Sequence, residues 1–285
     1  MSTLAYSVSD TSTMLRRQFK HMLRYPSLTL MLVGMPVVFL LLFVYVFGGT
    51  IGDGLGGPTG GREAYLTYLT PGMLLMAIVA AVQGTAISVA MDMTEGIIDR
   101  FRTMSIARVS VLTGHVIASV IQSFLCIAVT LGVAVAIGFR PETDALGWLG
   151  LAGVLLLISF GLTWLTVGLG MAAKTVEEAS NTPMPLMLLP FFGSAFVPTD
   201  SMPTVVQYFA EYQPFTPFIE VVRALLFANA VDGVDLVLTI AWSLAFALLG
   251  YVISKKKFNN PSPPPTPPPP PPGRPAPAPR PSGFP

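Results

Sequence analysis

Charge is what this sequence has least of. Only 11% of its 285 residues are Asp, Glu, Lys or Arg, where soluble domains carry roughly 25%. With 52% hydrophobic residues and a positive mean hydropathy, the chain reads as an integral membrane protein. A formal net charge of +1 leaves no electrostatic footprint for a nucleic-acid partner. The single cysteine, Cys126, excludes an intrachain disulfide and reads as a small buried hydrophobe within an apolar run. Two histidines, His21 and His115, stand alone and read as interfacial residues rather than ligands. The chain has no H-E-x-x-H, no Cys/His cluster and no paired carboxylates, so it offers no catalytic residue and no metal site. Nor do the long apolar runs hold Asp, Glu, Lys or Arg at their centres, which argues against a proton- or sodium-coupled carrier. One near-miss is GLGMAAKT, from Gly168 to Thr175. Ala173 replaces the second glycine of a phosphate-binding loop, and the segment ends an apolar run instead of following a strand, so Lys174 reads as an interfacial anchor.

What the sequence does contain is a series of apolar runs of membrane-crossing length. Leu28 to Phe47 is uncharged and 20 residues long, about 30 Å as a helix and so matched to the hydrocarbon core. Pro36 should kink it. Gly48 to Gly61 holds eight glycines and reads as a flexible loop. Further spans are expected at Pro71–Met91, with proline in the first turn and Gln83 its one strongly polar residue, then at about Val111–Ile137, Leu149–Met171 and Val234–Ile253. FRPETDA and the polar link AKTVEEASN separate them. A fifth span, about Ala179 to Val197, carries Pro183, Pro185 and Pro190, so it is expected to be broken and to face protein or a passage. The stretch after it is too polar to span. Pro203 is expected to open a short helix there, and a turn at Pro214 to Pro217 to lead into a second helix with Ile219, Val222 and Leu226, the two forming an external re-entrant hairpin that includes Pro198 and Arg223. The expected fold is therefore all-α, with six membrane spans.

Three segments lie outside the spans. Residues 1–26 carry Leu15, Phe19, Met22 and Leu23 on one helical stripe with Arg16, Arg17, Lys20 and Arg24 beside it, the pattern of a basic helix lying in the interface. Residues 27–257 form the membrane domain. Residues 258–285 form a tail with 15 prolines between Pro261 and Pro285, expected to be extended and disordered. Between the second and third spans lies MDMTEGIIDRFRTMSIAR, from Met91 to Arg108. Ile97, Phe101 and Met104 share one helical face, while Asp92, Glu95, Asp99, Arg100, Arg102 and Arg108 make it ionic. It cannot cross a bilayer. Its acidic residues disfavour anionic headgroups, so its apolar stripe is expected to dock on another protein. With the N-terminus inside, 13 Lys and Arg residues fall on inner segments and 3 on outer ones. That asymmetry places both termini and the ionic segment in the cytoplasm.

The run EGIIDRFRTM, with Asp92 before it and Arg108 after it, resembles the cytoplasmic loop of ABC-2 type permeases. FVPTDSMP, QPFTP and VVRALL are similar to that family's signature before the last span, and the resemblance covers about Thr11 to Lys257, nearest the daunorubicin/doxorubicin resistance branch. It implies a half-transporter in a bacterial cell membrane. Two permease copies pair, and separate ATPase subunits bind ATP with magnesium beneath them; this chain itself binds no cofactor and is not an enzyme. It also implies that Glu95, Gly96, Ile97, Asp99, Arg100, Phe101 and Arg102 form a coupling helix at the ATPase contact. Arg16, Arg17, Phe19 and Lys20 would lie on the interfacial helix, and Pro198, Pro203, Pro214 and Arg223 would shape the exit. The cargo is expected to be an amphipathic drug-like or lipid-like molecule. The competing reading is a passive or scaffold-type membrane protein whose ionic segment binds a partner other than an ATPase.

Overall fold

The computed structural model describes residues 26–55, 61–94 and 108–259. The expected N-terminal interfacial helix, the ionic segment from Glu95 to Ala107 and the proline-rich tail lie outside the described residues. Every regular element among the described residues is helical. Among the described residues five helices are long and apolar enough to cross a membrane, where the sequence reading expects six spans.

α1 (Pro26–Leu42) continues through a π-helical turn, Phe43–Phe47, into α2 (Gly48–Leu55). Pro36 is accommodated inside α1. The glycine-rich stretch expected as a loop is therefore helical as far as Leu55. In hydrocarbon a backbone must satisfy its own hydrogen bonds, which outweighs the roughly 1 kcal/mol each glycine costs a helix. Glycine is also sterically required here. A Cβ on Gly52 would stand 1.9 Å from the carbonyl oxygen of Gly61, so only glycine lets α2 fold against the start of the next helix.

α3 (Arg62–Thr94) begins well before Pro71, which was expected in its first turn and instead lies inside the helix. Thr70 Oγ1 donates to the carbonyl of Leu66 (2.7 Å) in the turn where Pro71 offers no N–H. α3 is the axis of the bundle: 83% of its most apolar window is buried, against 39% or less in the other four. α1, α4 (Arg108–Ala136) and α5 (Ala145–Ala172) pack around it. Asp144 caps α5 by accepting from the amide of Gly147 (2.7 Å).

The expected polar link after α5 is a short helix, α6 (Val176–Asn181). Thr175 Oγ1 accepts from the amide of Glu178 (3.1 Å), and the Glu178 carboxylate accepts from the amide of Lys174 (2.8 Å). This reciprocal cap occupies the two residues that end the phosphate-loop near-miss. The proline-rich fifth segment is broken, as expected: α7 (Met184–Leu188) starts after Pro183, and a 3-10 turn (Leu189–Phe192) follows. It lies along α3, from Gln83, whose Nε2 donates to the carbonyl of Ser180 (3.2 Å), to Gly72, which abuts Ala195. Phe191 and Phe196 stack at 4.5 Å and meet Phe39 and Phe43 of the first span. α8 (Thr204–Tyr212) and α9 (Phe215–Leu226) precede α10 (Gly233–Asn259).

Register fixes helix direction. Gly161 of α5 abuts Ser243 of α10, and Gly168 abuts Gly250. The numbers rise together, so α5 and α10 run parallel. Thr85 of α3 meets Ser119 of α4, and Asp92 meets His115, so α3 and α4 are antiparallel. One end of the bundle thus collects the C-termini of α3, α5 and α10 with the N-terminus of α4, and the opposite end collects α8 and α9.

Candidate functional site

The polar chemistry of the described residues is concentrated in three places: the α8–α9 hairpin, the middle of the bundle and the Asp92 end. At the hairpin, three of the residues singled out from the sequence start helical turns. Pro198 precedes a 3-10 turn (Thr199–Ser201), Pro203 caps α8 and Pro214 caps α9. Proline offers no N–H and fixes φ, which costs nothing at a helix start. Gln213 tightens the corner. Its Oε1 accepts from the amide of Phe215 (3.3 Å), and its Nε2 donates to Thr216 Oγ1 (3.2 Å), which in turn donates to the carbonyl of Ala210. α9 buries Phe215, Phe218, Ile219, Val222 and Leu226, whereas α8 leaves Val205, Tyr208, Phe209 and Tyr212 exposed.

Arg223 joins the hairpin to the bundle. Nη1 donates to Glu220, and Nη2 donates to the carbonyls of Ser194 (2.9 Å) and Tyr68 (3.4 Å). Its guanidinium also lies 4.4 Å from the centre of the Tyr68 ring. One side chain therefore ties α9 to α3 and to the broken fifth segment. Arg223 lies on α9, and the sequence reading does not foresee these partners, because Tyr68 is far away along the chain.

In the middle of the bundle three buried hydroxyls form a chain. Thr85 donates to Ser119 (2.7 Å), and Ser119 and Thr163 lie 3.2 Å apart, linking α3, α4 and α5. Serine and threonine barely disturb an apolar run, so nothing in the sequence marks them. Between α4 and α5 an apolar groove of 620 Å³ opens on the bundle side, lined by Val116, Val120, Gly153, Leu156, Phe160 and Trp164 among others.

At the Asp92 end, His115 is buried and bonded to Asp92, with Nε2 and Oδ2 3.0 Å apart. The sequence reading of His115 as a lone interfacial residue is thus corrected. Its partner sits on another helix, across the ionic segment. Cys126 is buried, as expected of a small hydrophobe. The expected coupling residues Glu95, Gly96, Ile97, Asp99, Arg100, Phe101 and Arg102, and Arg16, Arg17, Phe19 and Lys20 of the interfacial helix, lie outside the described residues.

Comparison with known proteins places this architecture. The profile of the ABC-2 type transporter family matches residues 9–227. The daunorubicin resistance ABC transporter permease protein DrrB1 of Streptomyces coeruleorubidus is 31% identical over 228 residues, 79% of this chain and 78% of the relative. The doxorubicin resistance ABC transporter permease protein DrrB of Mycobacterium tuberculosis is 29% identical over 231 residues, 76% of this chain and 78% of the relative. A probable doxorubicin resistance ABC transporter permease protein, DrrC, from the same organism is 27% identical over 181 residues, 60% of this chain and 64% of the relative. With several membrane-crossing helices and a profile match over most of its length, this chain belongs to the ABC-2 type transporter family of membrane permeases.

Proposed function

We propose that this chain is the permease subunit of an ATP-driven exporter. It pairs with a second permease copy and is driven by a separate ATPase subunit that binds ATP with magnesium. The observation that carries the reading is the distribution of cations between the two ends of the bundle. The parallel course of α3, α5 and α10 puts Lys174 and Lys255 to Lys257 at the end from which the ionic segment departs, and Arg62, Arg140 and Arg223 at the other. By the positive-inside rule the Asp92 end is cytoplasmic, where an ATPase would sit, and the α8–α9 hairpin is external.

The same register supports six crossings. α5 and α10 run parallel, so the chain between them must return across the bilayer, and the broken segment lying along α3 from Gln83 to Gly72 provides that return. Its freed backbone groups are sheltered by α3 and the phenylalanine cluster rather than by lipid. The hairpin then dips into the outer leaflet, and both termini are cytoplasmic. Residues 1–26 lie in the inner interface, residues 27–257 form the transporter domain and residues 258–285 form a cytoplasmic tail. Glu95, Gly96, Ile97, Asp99, Arg100, Phe101 and Arg102 seat in a cleft of the ATPase. Closure of the ATPase pair biases the permease dimer between two states, open inward and open outward. The cargo is an amphipathic drug-like or lipid-like molecule, a reading supported by the hydroxyl groups that supply the buried polar chain in the middle of the bundle.

The test is to purify the tagged chain from its native membrane. A polypeptide with ATP-binding-cassette motifs should co-purify, and the pair should hydrolyse ATP. Asp99→Lys combined with Arg100→Glu inverts the charge register of the coupling contact. The double variant is expected to lower export of daunorubicin at least about tenfold, equivalent to about 1.4 kcal/mol of lost coupling, while the protein stays in the membrane. Unchanged export in that variant would remove the ionic segment from the mechanism. Co-purification of a partner without those motifs would favour the scaffold reading.

A further inference from the structure

Two helices deliver the ionic segment to the cytoplasmic surface: α3, which ends at Thr94, and α4, which starts at Arg108. Thirteen residues join those two ends in the chain. A side-chain bond within the bundle bridges them. His115 Nε2 and Asp92 Oδ2 are 3.0 Å apart, with side chains only 3% and 13% exposed. A carboxylate only accepts, so Nε2 carries the hydrogen. One turn further along α4, Ser119 continues the polar line to Thr85 of α3 and Thr163 of α5, all buried. Beside this line Gly170 of α5 approaches the backbone of Ala86. Two polar links therefore join α3 to α4, the Asp92–His115 pair near the cytoplasmic end and the buried Thr85–Ser119–Thr163 chain one turn deeper.

We propose that the Asp92–His115 pair is a positioning clamp. It holds the cytoplasmic ends of α3 and α4 at one separation, so that a displacement delivered between them moves α3, α4 and α5 as one body. The clamp rests on the exporter reading for the source of that displacement, but not for its own existence. Two features favour this role over simple packing. Apolar side chains would fill the same space without the cost of burying a carboxylate, and a directional bond admits a single helix register where apolar contact admits several. The pair also sits at the mouth of the α3–α4 connection, where a loose spacing would dissipate any push before it reached the bundle.

The experiment has two arms. In the first, spin labels are placed on Thr94→Cys and Ser110→Cys of the full chain in vesicles, and the distribution of label separations is measured; the native Cys126 is fully buried. The parent is expected to give one narrow distance. Asp92→Ala is expected to broaden it, with Asp92→Leu used if the alanine variant does not accumulate. Asp92→Asn, which keeps an acceptor oxygen, and the exchanged pair Asp92→His with His115→Asp should both stay narrow. A distribution in Asp92→Ala as narrow as the parent's overturns the clamp. In the second arm, the complex with its ATPase is placed in vesicles with daunorubicin as the probe, and ATP hydrolysed is counted against drug moved. Asp92→Ala is expected to hydrolyse ATP at nearly the parental rate while moving at least about fivefold less drug per ATP, the lower range of a typical coupling energy. The exchanged pair should restore the ratio. A broadened distance with an unchanged ratio overturns transmission through the clamp. A parent complex that neither hydrolyses ATP nor moves the probe overturns the exporter reading instead, and the distance arm alone then decides the clamp.

Discussion

Replacing Gly250 by alanine is expected to be among the most damaging single-methyl additions in the protein. A Cβ at Gly250 would stand 2.0 Å from the carbonyl oxygen of Trp164 and 2.2 Å from its carbonyl carbon. Both are backbone atoms of α5, so no rotamer change relieves the clash. The same seam excludes a side chain at Gly161, 2.4 Å from the Ser243 carbonyl oxygen, and at Gly168, 2.8 Å from that of Gly250. Lipid supplies no hydrophobic force to hold two apolar helices together, so close backbone packing is what joins α5 to α10. Wedging them apart also breaks the edge-to-face contact of Trp164 with Tyr251 (5.7 Å). The expected loss is about 3 kcal/mol, the upper end for overpacking where the neighbours cannot yield. It would be read as a lower unfolding temperature in detergent and reduced accumulation in the membrane. Gly132 and Gly153 supply the control, because a Cβ at either meets nothing within 4 Å. Alanine there should be neutral, or stabilising by up to about 1 kcal/mol through helix propensity. Equal unfolding temperatures for Gly250→Ala and Gly132→Ala would show that the seam does not hold the helices.

These residues also mark where sequence reading stops. Local signals were legible. Pro203 starts a helix, and Pro183, Pro185 and Pro190 break one, because proline acts on its own turn; the turn expected at Pro214 to Pro217 is instead the start of α9. The apolar runs gave the long helices, though not their ends, since the hydrocarbon sets a minimum length and α3 simply runs past it. The glycines misled twice. Those from Gly48 read as a loop by their propensity in water, yet membrane burial and close approach to Gly61 keep them helical. Gly161 and Gly250 passed unremarked, and Gly168 drew notice only as the start of a phosphate-loop near-miss, because the surface each must fit belongs to a helix far away in the chain. His115 failed for the same reason: a histidine in an apolar run shows its role only when Asp92 is seen beside it. Hydroxyls such as Ser119 are nearly invisible to hydropathy, although they link α3, α4 and α5 in the middle of the bundle. The site residues expected on the ionic segment rest on resemblance and charge pattern alone.

Arg223→Ala is expected to loosen the α8–α9 helix pair without unfolding the bundle. The guanidinium is 18% exposed and its partner Glu220 34%, so the ion pair itself is partly screened and contributes modestly. The larger contribution comes from Nη2, which donates to the carbonyls of Ser194 and Tyr68. Charge-assisted bonds of this kind contribute roughly 1.5–3 kcal/mol, so about 2 kcal/mol is expected for local opening of α9. That corresponds to roughly 30-fold faster exchange of α9 amides under native conditions. Lysine should not substitute. An ammonium is a point charge and cannot hold Glu220, two carbonyls and the face of Tyr68 at once, so Arg223→Lys should fall closer to alanine than to the parent. Tyr68→Leu removes the ring but keeps the carbonyl and should cost only about 0.5–1 kcal/mol. The ordering separates a latch from generic packing. Arg223 binds the backbone of two elements that lie on either side of the hairpin. Any outward opening that parts α9 from α3 must therefore release it, and weakening it should favour the open state. If amide exchange in α9 rises equally in Arg223→Ala and Tyr68→Leu, the ring rather than the carbonyls carries the contact, and Arg223 is no latch.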